Sequence, residues 1–530
     1  MGYTHTPQDV HMYAEEASSS DSGRSSRASS PNSVLSYDGK AMLFGDYPDS
    51  GLDVLIVGAG LAGLTAAIEC VRKGHRVRVL ERGAEINTMG KLTGDMYFMG
   101  LSGTKFFKHW PAMAAEYDDI SMQSCFLETF KHDGEQMIPP LKVSERLRAV
   151  GLDPNTPPGA FQMRPLVYRM FINQAERLNI PFLFSKRVLK YYETETRAGV
   201  ETDEGEVFEA DIVIAADGIG SKSQAIVGGK VRAASSGRAM WRAVFPVEVL
   251  DKDPEVKDFF SMMGEDPIVR TFLGPGTYGL TLNRDGTVCW IINHDATGTE
   301  KESWHHTVTS ESVLANMDKS LTSSTAPEWA PILKKLIAIT PPDTIVNFEL
   351  FWRNPQQSWH SPLARVVQIG DCAHSFLPSS GNGATQAIED AISLASCLEY
   401  GVKLGGIEAV PDAVKTHVQL RFLRCACAQK LGFSNAERLQ DTDWQKVKLD
   451  PKKAQPKHPK WVWAHDPEAY VYENYEKGLR GVRAGVPLDQ DPSIPPNYPP
   501  GYKWEPWNID DIMRDLAAGK PVELGSGNWD

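Results

Sequence analysis

Short apolar runs, each closed by a glycine turn or an acid, set the pattern of the chain from about residue 52 onward. Asp53-Val-Leu-Ile-Val57 is a five-residue run of the kind that forms a strand buried on both faces. Gly58-Ala-Gly-Leu-Ala-Gly63 follows, and the segment from Leu64 to Gly74 reads as a helix ended by a C-cap glycine. A second run, Arg76-Val-Arg-Val-Leu80, ends in Glu81. Strand and helix patterns alternate to about residue 235, which predicts a doubly wound, Rossmann-like α/β sheet. From 236 to 358 the pattern turns strand-rich, with runs such as Met240–Pro246, Val269–Leu273 and Thr287–Asn293. These predict a second, mainly antiparallel β sheet inserted into the first domain. Arg365–Gly383 returns to that domain and leads into a helix predicted from Ala384 to about Glu399, its apolar stripe recurring every 3.6 residues.

The expected organisation is therefore a disordered Ser-rich tail over 1–50, a first part of the α/β domain over 51–235, a substrate-binding sheet over 236–358, and a second α/β part over 359–435. A C-terminal helix and an irregular Pro/Trp-rich arm fill 436–530. The tail has almost nothing apolar to offset the entropy of ordering. The arm is expected to close over the fold and to affect stability more than chemistry.

Composition narrows the function. A formal net charge of −13 argues against nucleic acid as a partner, because phosphate binding needs a basic face. The seven cysteines form no C-x-x-C pair, and they read as reduced thiols of a cytoplasmic protein. Cys425-Ala-Cys427 reads as two thiols on a helix, and no metal site is expected. No secretory signal is visible, and the most apolar stretch, Val54 to Val71, is broken by glycines and Glu69, so no transmembrane segment is expected. Oligomeric state leaves no trace in the sequence.

Three segments carry chemistry. Gly58, Gly60 and Gly63 satisfy G-x-G-x-x-G between a strand and a helix: one glycine for the tight turn, one for close approach of backbone amides to a pyrophosphate, one for helix–strand packing. The helix N-terminus there favours phosphate, and Glu81 ends the second strand where an acid accepts from ribose hydroxyls. Later, Ala215-Ala-Asp217-Gly218 closes another strand. Finally Val366-Val-Gln-Ile-Gly370-Asp371 places a carboxylate for a ribityl hydroxyl and runs through Pro378-Ser-Ser-Gly-Asn-Gly383 into a helix whose N-terminus suits the pyrimidine edge of a flavin. His374 reads as a packed, hydrogen-bonded histidine, and Glu389 and Asp390 as packing residues rather than an acid–base pair.

These segments, over roughly residues 52 to 435, resemble the group A, single-component FAD-dependent aromatic monooxygenases, in particular their fungal salicylate-hydroxylase-like branch. The resemblance implies FAD as cofactor and NADPH or NADH as a transient reductant without a separate nicotinamide domain. It also implies that Glu81 binds the adenosine ribose, and that Gly94 and Arg164, in Gln162-Met-Arg-Pro-Leu-Val167, meet the cofactor. Asp217, Gly218, Gly370, Asp371, Pro378, Gly383 and Ala384 complete the implied cofactor set. Three positions depart from the family pattern: Asn382 stands in the usual Gly-Gln-Gly turn, Gln224 where an arginine often closes the aspartate–glycine motif, and Leu282-Asn283 where tyrosine–proline is common.

In this family NAD(P)H reduces FAD, oxygen adds at the flavin C4a carbon, and the hydroperoxide hydroxylates an electron-rich small molecule. The implied substrate is aromatic, phenolic or polyketide-like, and the setting secondary metabolism. Arg242, in Ala239-Met-Trp-Arg-Ala-Val244, is the candidate for stabilising a phenolate, and Tyr278 the candidate tyrosine. Trp241 and Phe272 read as core more readily than as pocket wall. The same motifs serve epoxidases, Baeyer–Villiger oxygenases, flavin reductases and dehydrogenases, because fold and cofactor do not fix the reaction. Halogenases show Ile-Pro after a Trp-x-Trp segment, whereas Trp461-Val-Trp463 here runs into Ala464-His465. A non-catalytic carrier on this fold, like the GDP-dissociation inhibitors, lacks the Gly370-Asp371 type of segment.

Overall fold

The structure, a computed structural model, describes residues 47–530 apart from 86–95, 150–152, 154, 156–158, 229–232, 285, 299–305, 323–327, 441 and 451–455, together with two short strands ahead of them. Those two strands, Val34–Ser36 and Ala41–Leu43, pair antiparallel.

The first apolar runs form a five-stranded parallel sheet in the order Val366–Gln368, Ile212–Ala215, Asp53–Val57, Arg76–Leu80, Phe182–Leu183. Its central strands are almost wholly buried on both faces, as all-apolar runs require. Helices Leu61–Arg72, Arg164–Arg177 and Gly383–Gly405 cover one face, and a three-stranded antiparallel layer, Val188–Glu193, Ala198–Thr202 and Val207–Ala210, lies against the other. The strand ends carrying Gly58, Ala216 and Ile369 thus converge, since parallel neighbours finish on the same edge of the sheet.

The second sheet has eight strands, in the order Thr307–Val308, Ile345–Trp352, Ala234–Pro246, Thr287–Asp295, Thr277–Arg284, Ile268–Gly274, Phe126–Lys131, Gln136–Lys142. All pairs are antiparallel except Ile268–Gly274 with Phe126–Lys131. Two of its strands therefore come from well before residue 236, so the sheet is wider than the strand-rich stretch of sequence. Side chains alternate between its faces. Trp241, Phe272 and Trp290 point into a core with Phe130 and the helix Pro331–Ile339, and Trp241 stacks on His294 at 3.7 Å. Met240, Arg242, Val269, Thr271, Tyr278 and Leu280 occupy the opposite face, toward the first domain.

Within the arm, the helix Pro467–Ala484 packs on Gly383–Gly405 and on the long helix Val410–Gln440. A buried polar cluster fixes its start: Glu468 accepts from Lys73 at 2.5 Å, meets His109 Nε2 at 2.6 Å and also binds Arg72. Glu468→Gln should lower stability by about 1–3 kcal/mol, because it leaves the buried Lys73 and the half-buried Arg72 short of their counter-charge. A thermal melt unchanged within error would show that the cluster does not anchor the arm. Among the described residues no helix is long and apolar enough to cross a membrane.

Candidate active site

Where the two sheets face each other lies a cavity of about 700 Å³. One wall is the converged glycine turns of the parallel sheet: Gly60, Gly218, Asp371, Pro378, Gly383 and Ala384 all line it. The opposite wall is the outer face of the eight-stranded sheet, with Arg242 and Tyr278, and Arg164 stands at the side. Nine of the residues singled out in the sequence thus meet at one cavity. Gly58, Gly63, Glu81, Asp217 and Gly370 lie behind its wall, and Gly94 lies outside the described residues.

The glycine turns are tight where chain meets chain and open where a ligand belongs. A Cβ on Gly58 would come within 2.6 Å of the Ala216 carbonyl oxygen, and one on Gly63 within 1.9 Å of the Gly58 oxygen. A Cβ on Gly60 would meet nothing nearer than 3.9 Å, and one on Gly218 nothing within 4 Å. Gly60 and Gly218, which both line the cavity, leave room beside the backbone, and Gly60 does so at the N-terminus of the helix Leu61–Arg72; this cradle has the space and the dipole that a pyrophosphate uses. Behind this cradle Glu81 accepts the amides of Ala59 at 2.9 Å and Gly83 at 2.7 Å, so its carboxylate is fixed at the end of the second strand. Asp217 is set against the Cys372 thiol, 3.4 Å away, which in turn accepts the Gly218 amide at 3.1 Å. Burial raises the Asp217 carboxyl, against hydrogen bonds from Ser221 and Tyr191.

Gly370-Asp371 is positioned from below. Asp390, on the helix Gly383–Gly405, accepts the Gly370 amide at 2.9 Å, His374 Nε2 at 2.6 Å and Arg421 Nε at 2.9 Å. Glu389 binds both Arg421 and Arg424. Enclosure works against charge on His374, but Asp390 beside it prevails and raises the ring to about 10. Asp390 is held far below the usual carboxylate range by His374 and Arg421, which outweigh its burial. His374, Asp390 and Cys425 lie close enough to one another to suggest a metal site. Arg421 occupies that position electrostatically, since its guanidinium touches both Asp390 and Cys425. Asp371 itself opens into the cavity; its enclosure raises the carboxyl, with His374 and Arg164 pulling the other way.

The turn ahead of the helix uses Asn382 structurally: its amide and side chain bind Ser380 Oγ at 3.1 Å and Ser380 O at 2.7 Å. Gly432 of the long helix lets that turn approach closely, with Ser379 donating to the Gly432 carbonyl at 3.1 Å. The helix begins at Gly383, and Thr385 accepts the Gly100 amide at 2.8 Å, which ties the strand bearing Tyr97 and Phe98 to the helix start. Gln224 bridges Gln368 at 3.3 Å and the Cys372 carbonyl at 3.1 Å and so braces the turn Gly370–Cys372 that carries Asp371.

On the sheet side, register aligns Arg242, Ile291, Leu280, Thr271 and Thr129 in one row across five strands, all lining the cavity. At the strand spacing that row is roughly 19 Å long. Arg242 ends it, its guanidinium 4.6 Å from the centre of the Phe348 ring. Tyr278 is buried, and burial pushes its phenol up to about 12 against Arg238 and Arg242, so it faces the cavity protonated. Asn283 instead donates to the Phe260 carbonyl, and Leu282 is core.

Sequence reasoning missed several lining residues. Tyr97, Phe98 and Phe161 come from a two-stranded pairing, Met96–Gly100 with Gly159–Met163. Arg146 also lines the cavity, and burial lowers its guanidinium to about 10. Pro456 and His458 reach it from the C-terminal arm, so the arm forms part of the cavity wall. The pattern of the arm gives no signal for this, since a coil of prolines, lysines and histidines has no period to show which side chain points inward.

Comparison with known proteins agrees with this geometry. FAD-binding domain models match residues 53–92 and 162–406. The FAD-dependent monooxygenase fsr3 of Gibberella fujikuroi is 37% identical over 91% of this chain and 90% of its own length. The FAD-dependent monooxygenase dmxR9 of Cryptosporiopsis sp. is 35% identical over 91% of each chain. Among solved structures, FqzB superposes with a TM-score of 0.72 at 29% identity over 85% of this chain and 97% of its own. CtdE, solved with FAD and a substrate, gives 0.71 at 29% over 82% and 100%. Near-complete overlap with relatives at this identity, together with the cradle and cavity, places the chain in the family of FAD-dependent monooxygenases.

Proposed function

We propose that this monooxygenase uses NADPH or NADH to hydroxylate an aromatic small molecule, phenolic or polyketide-like, in secondary metabolism. The observation that carries the reading is one continuous cavity, with phosphate-type glycine turns on one wall and a long row of aliphatic and threonine side chains ending in Arg242 on the other. Bound FAD, reduced by NAD(P)H, would supply oxygen activation, the substrate gaining one oxygen atom and the other leaving as water. Gly60, Gly218 and the amides around them would hold the pyrophosphate, Glu81 the adenosine ribose, Asp371 the ribityl chain, and the helix start at Gly383-Ala384 the flavin ring. Arg164 would brace the cofactor from the side.

The substrate would lie along the row of Ile291, Leu280 and Thr271, whose apolar surface excludes water from the reacting carbon. Arg242 would hold a phenolate oxygen, favouring the electron-rich anion, and the neutral Tyr278 phenol would donate a hydrogen bond to the same ring. A reduced cytoplasmic setting fits seven cysteines that are all buried and unbridged.

The test is to purify the chain, record its visible spectrum, and follow NADPH and NADH oxidation with labelled oxygen and a panel of one- to three-ring phenols. Substrate-stimulated oxidation with label in the product supports the reading. A flavin spectrum without oxygen insertion would make the protein a dehydrogenase or reductase. Arg242→Ala should keep its FAD and lose roughly ten- to a hundredfold in kcat/KM, the worth of a charged hydrogen bond. Unchanged turnover would remove Arg242 from the site.

A further inference from the structure

We propose that His458, delivered by the C-terminal arm, is a substrate-contacting residue whose imidazole hydrogen-bonds a hydroxyl or carbonyl group of the aromatic substrate. The inference rests on the hydroxylase reading above and adds to it a polar contact from outside both sheets.

Four observations carry it. His458 lines the cavity together with Pro456, on the side of the glycine turn: a Cβ on Gly381 would sit 3.7 Å from His458 Cε1. Its ring lies at 4.8 Å and 31° from that of Phe98, a lining residue tied to the helix start, so the imidazole plane is fixed by an aromatic surface. The backbone beside it is clamped in both directions. Asn435, buried on the long helix, accepts the Lys457 amide at 2.7 Å and donates to the Lys457 carbonyl at 3.2 Å. Pro459, on the other side, begins the helix Lys460–Trp463. A side chain held this firmly would be expected to spend its polar atoms on the protein. Yet no described residue hydrogen-bonds either ring nitrogen; the ring stands half-buried in the cavity wall, where desolvation lowers it to about 4.

A neutral imidazole offers one donor and one acceptor and carries no charge, so it suits a phenol or a quinone-type carbonyl, while a carboxylate is held more strongly by the arginines that line the cavity. Arg242 and His458 come from separate walls. A substrate polar at one point only cannot use both, so the pair selects ring systems bearing oxygen at two separated positions.

The test compares the FAD-loaded wild type with His458→Phe, which keeps the stack on Phe98 and removes both nitrogens, and with His458→Asn, which restores a short polar side chain. The probe is whichever phenol of the panel stimulates wild-type NAD(P)H oxidation most. His458→Phe should keep its flavin spectrum and melting temperature, raise KM roughly tenfold and lower the yield of product per NAD(P)H; His458→Asn should recover part of the KM. A Phe variant equal to wild type in KM and coupling overturns the proposal. So does one that loses FAD and stability in step with turnover and is not rescued by Asn, because that assigns His458 to the fold. No stimulation of the wild type by any phenol sinks the hydroxylase reading and this proposal with it.

Discussion

Asp390→Asn should unfold the cofactor side of the protein, lowering stability by about 3–5 kcal/mol and yielding protein with little or no bound FAD. The size reflects how many groups the carboxylate satisfies. Asp390 is completely buried and binds a backbone amide, His374 and Arg421 at once. Removing its charge leaves His374 and Arg421 enclosed with one counter-charge fewer, the situation in which breaking a buried pair costs most. The link to the cofactor is the Gly370 amide: Gly370 has a φ of +59° and precedes Asp371, so losing its anchor releases the turn that presents Asp371 to the cavity. Thermal melts and the flavin-to-protein absorbance ratio check both parts. A variant that melts with the wild type and purifies yellow would show that the network is dispensable.

The same pair sets a pH dependence whose sign can be worked out. His374 has its pKa raised from 6.5 to about 10 in the fold, so its contribution is complete below about 6.5 and is lost as pH rises toward 10. Asp390 is depressed below its usual 3.8, so its contribution is complete above that value and is lost as pH falls. The stability gap between wild type and Asp390→Asn should therefore be widest between about pH 4 and 6.5 and should narrow on the alkaline side. A gap that widens steadily from about pH 6.5 to 10 would contradict the charged pairing.

The parallel sheet and its glycine turns were legible because each rests on a local rule: an all-apolar run, then glycines where chain crosses chain. Arg242 could be proposed from the resemblance, and Tyr278 only from its nearness to Leu282-Asn283, where relatives carry the tyrosine; period-two alternation explains why Arg242 faces the cavity while its neighbour Trp241 faces the core. Three features resist local reading. The eight-stranded sheet takes Phe126–Lys131 through a parallel pairing with Ile268–Gly274, a contact across more than a hundred residues that neither segment encodes alone. Glu389, Asp390, Arg421 and Arg424 look like ordinary charged helix faces until two helices pack and bury them together. His458 sits in aperiodic coil, and its fixed position shows only in three dimensions, from the Asn435 clamp on its neighbour and the Phe98 ring beside it.

Gly60→Ala and Gly63→Ala, three residues apart in one motif, should fail in different ways. In Gly63→Ala the new methyl would lie 1.9 Å from the Gly58 carbonyl oxygen, and both groups belong to backbone held between strand and helix. Neither can turn aside, so strand and helix must separate, at a cost of roughly 3 kcal/mol or more, and the protein should be poorly soluble even with FAD in excess. Gly60 has an ordinary φ of −68° and nothing within 3.9 Å of the added carbon, so alanine there should leave the apoprotein melt within about 0.5 kcal/mol of wild type. The methyl would instead fill the cradle, keeping the amides from a pyrophosphate, and FAD affinity should fall at least about tenfold. Apoprotein melts and FAD titration by flavin fluorescence separate the two. If Gly60→Ala binds FAD as tightly as wild type, the cradle is not where the pyrophosphate lies. If Gly63→Ala folds normally, the contact between strand end and helix start is looser than its geometry requires. The contrast therefore tests the two halves of the motif independently, one as packing and one as ligand space.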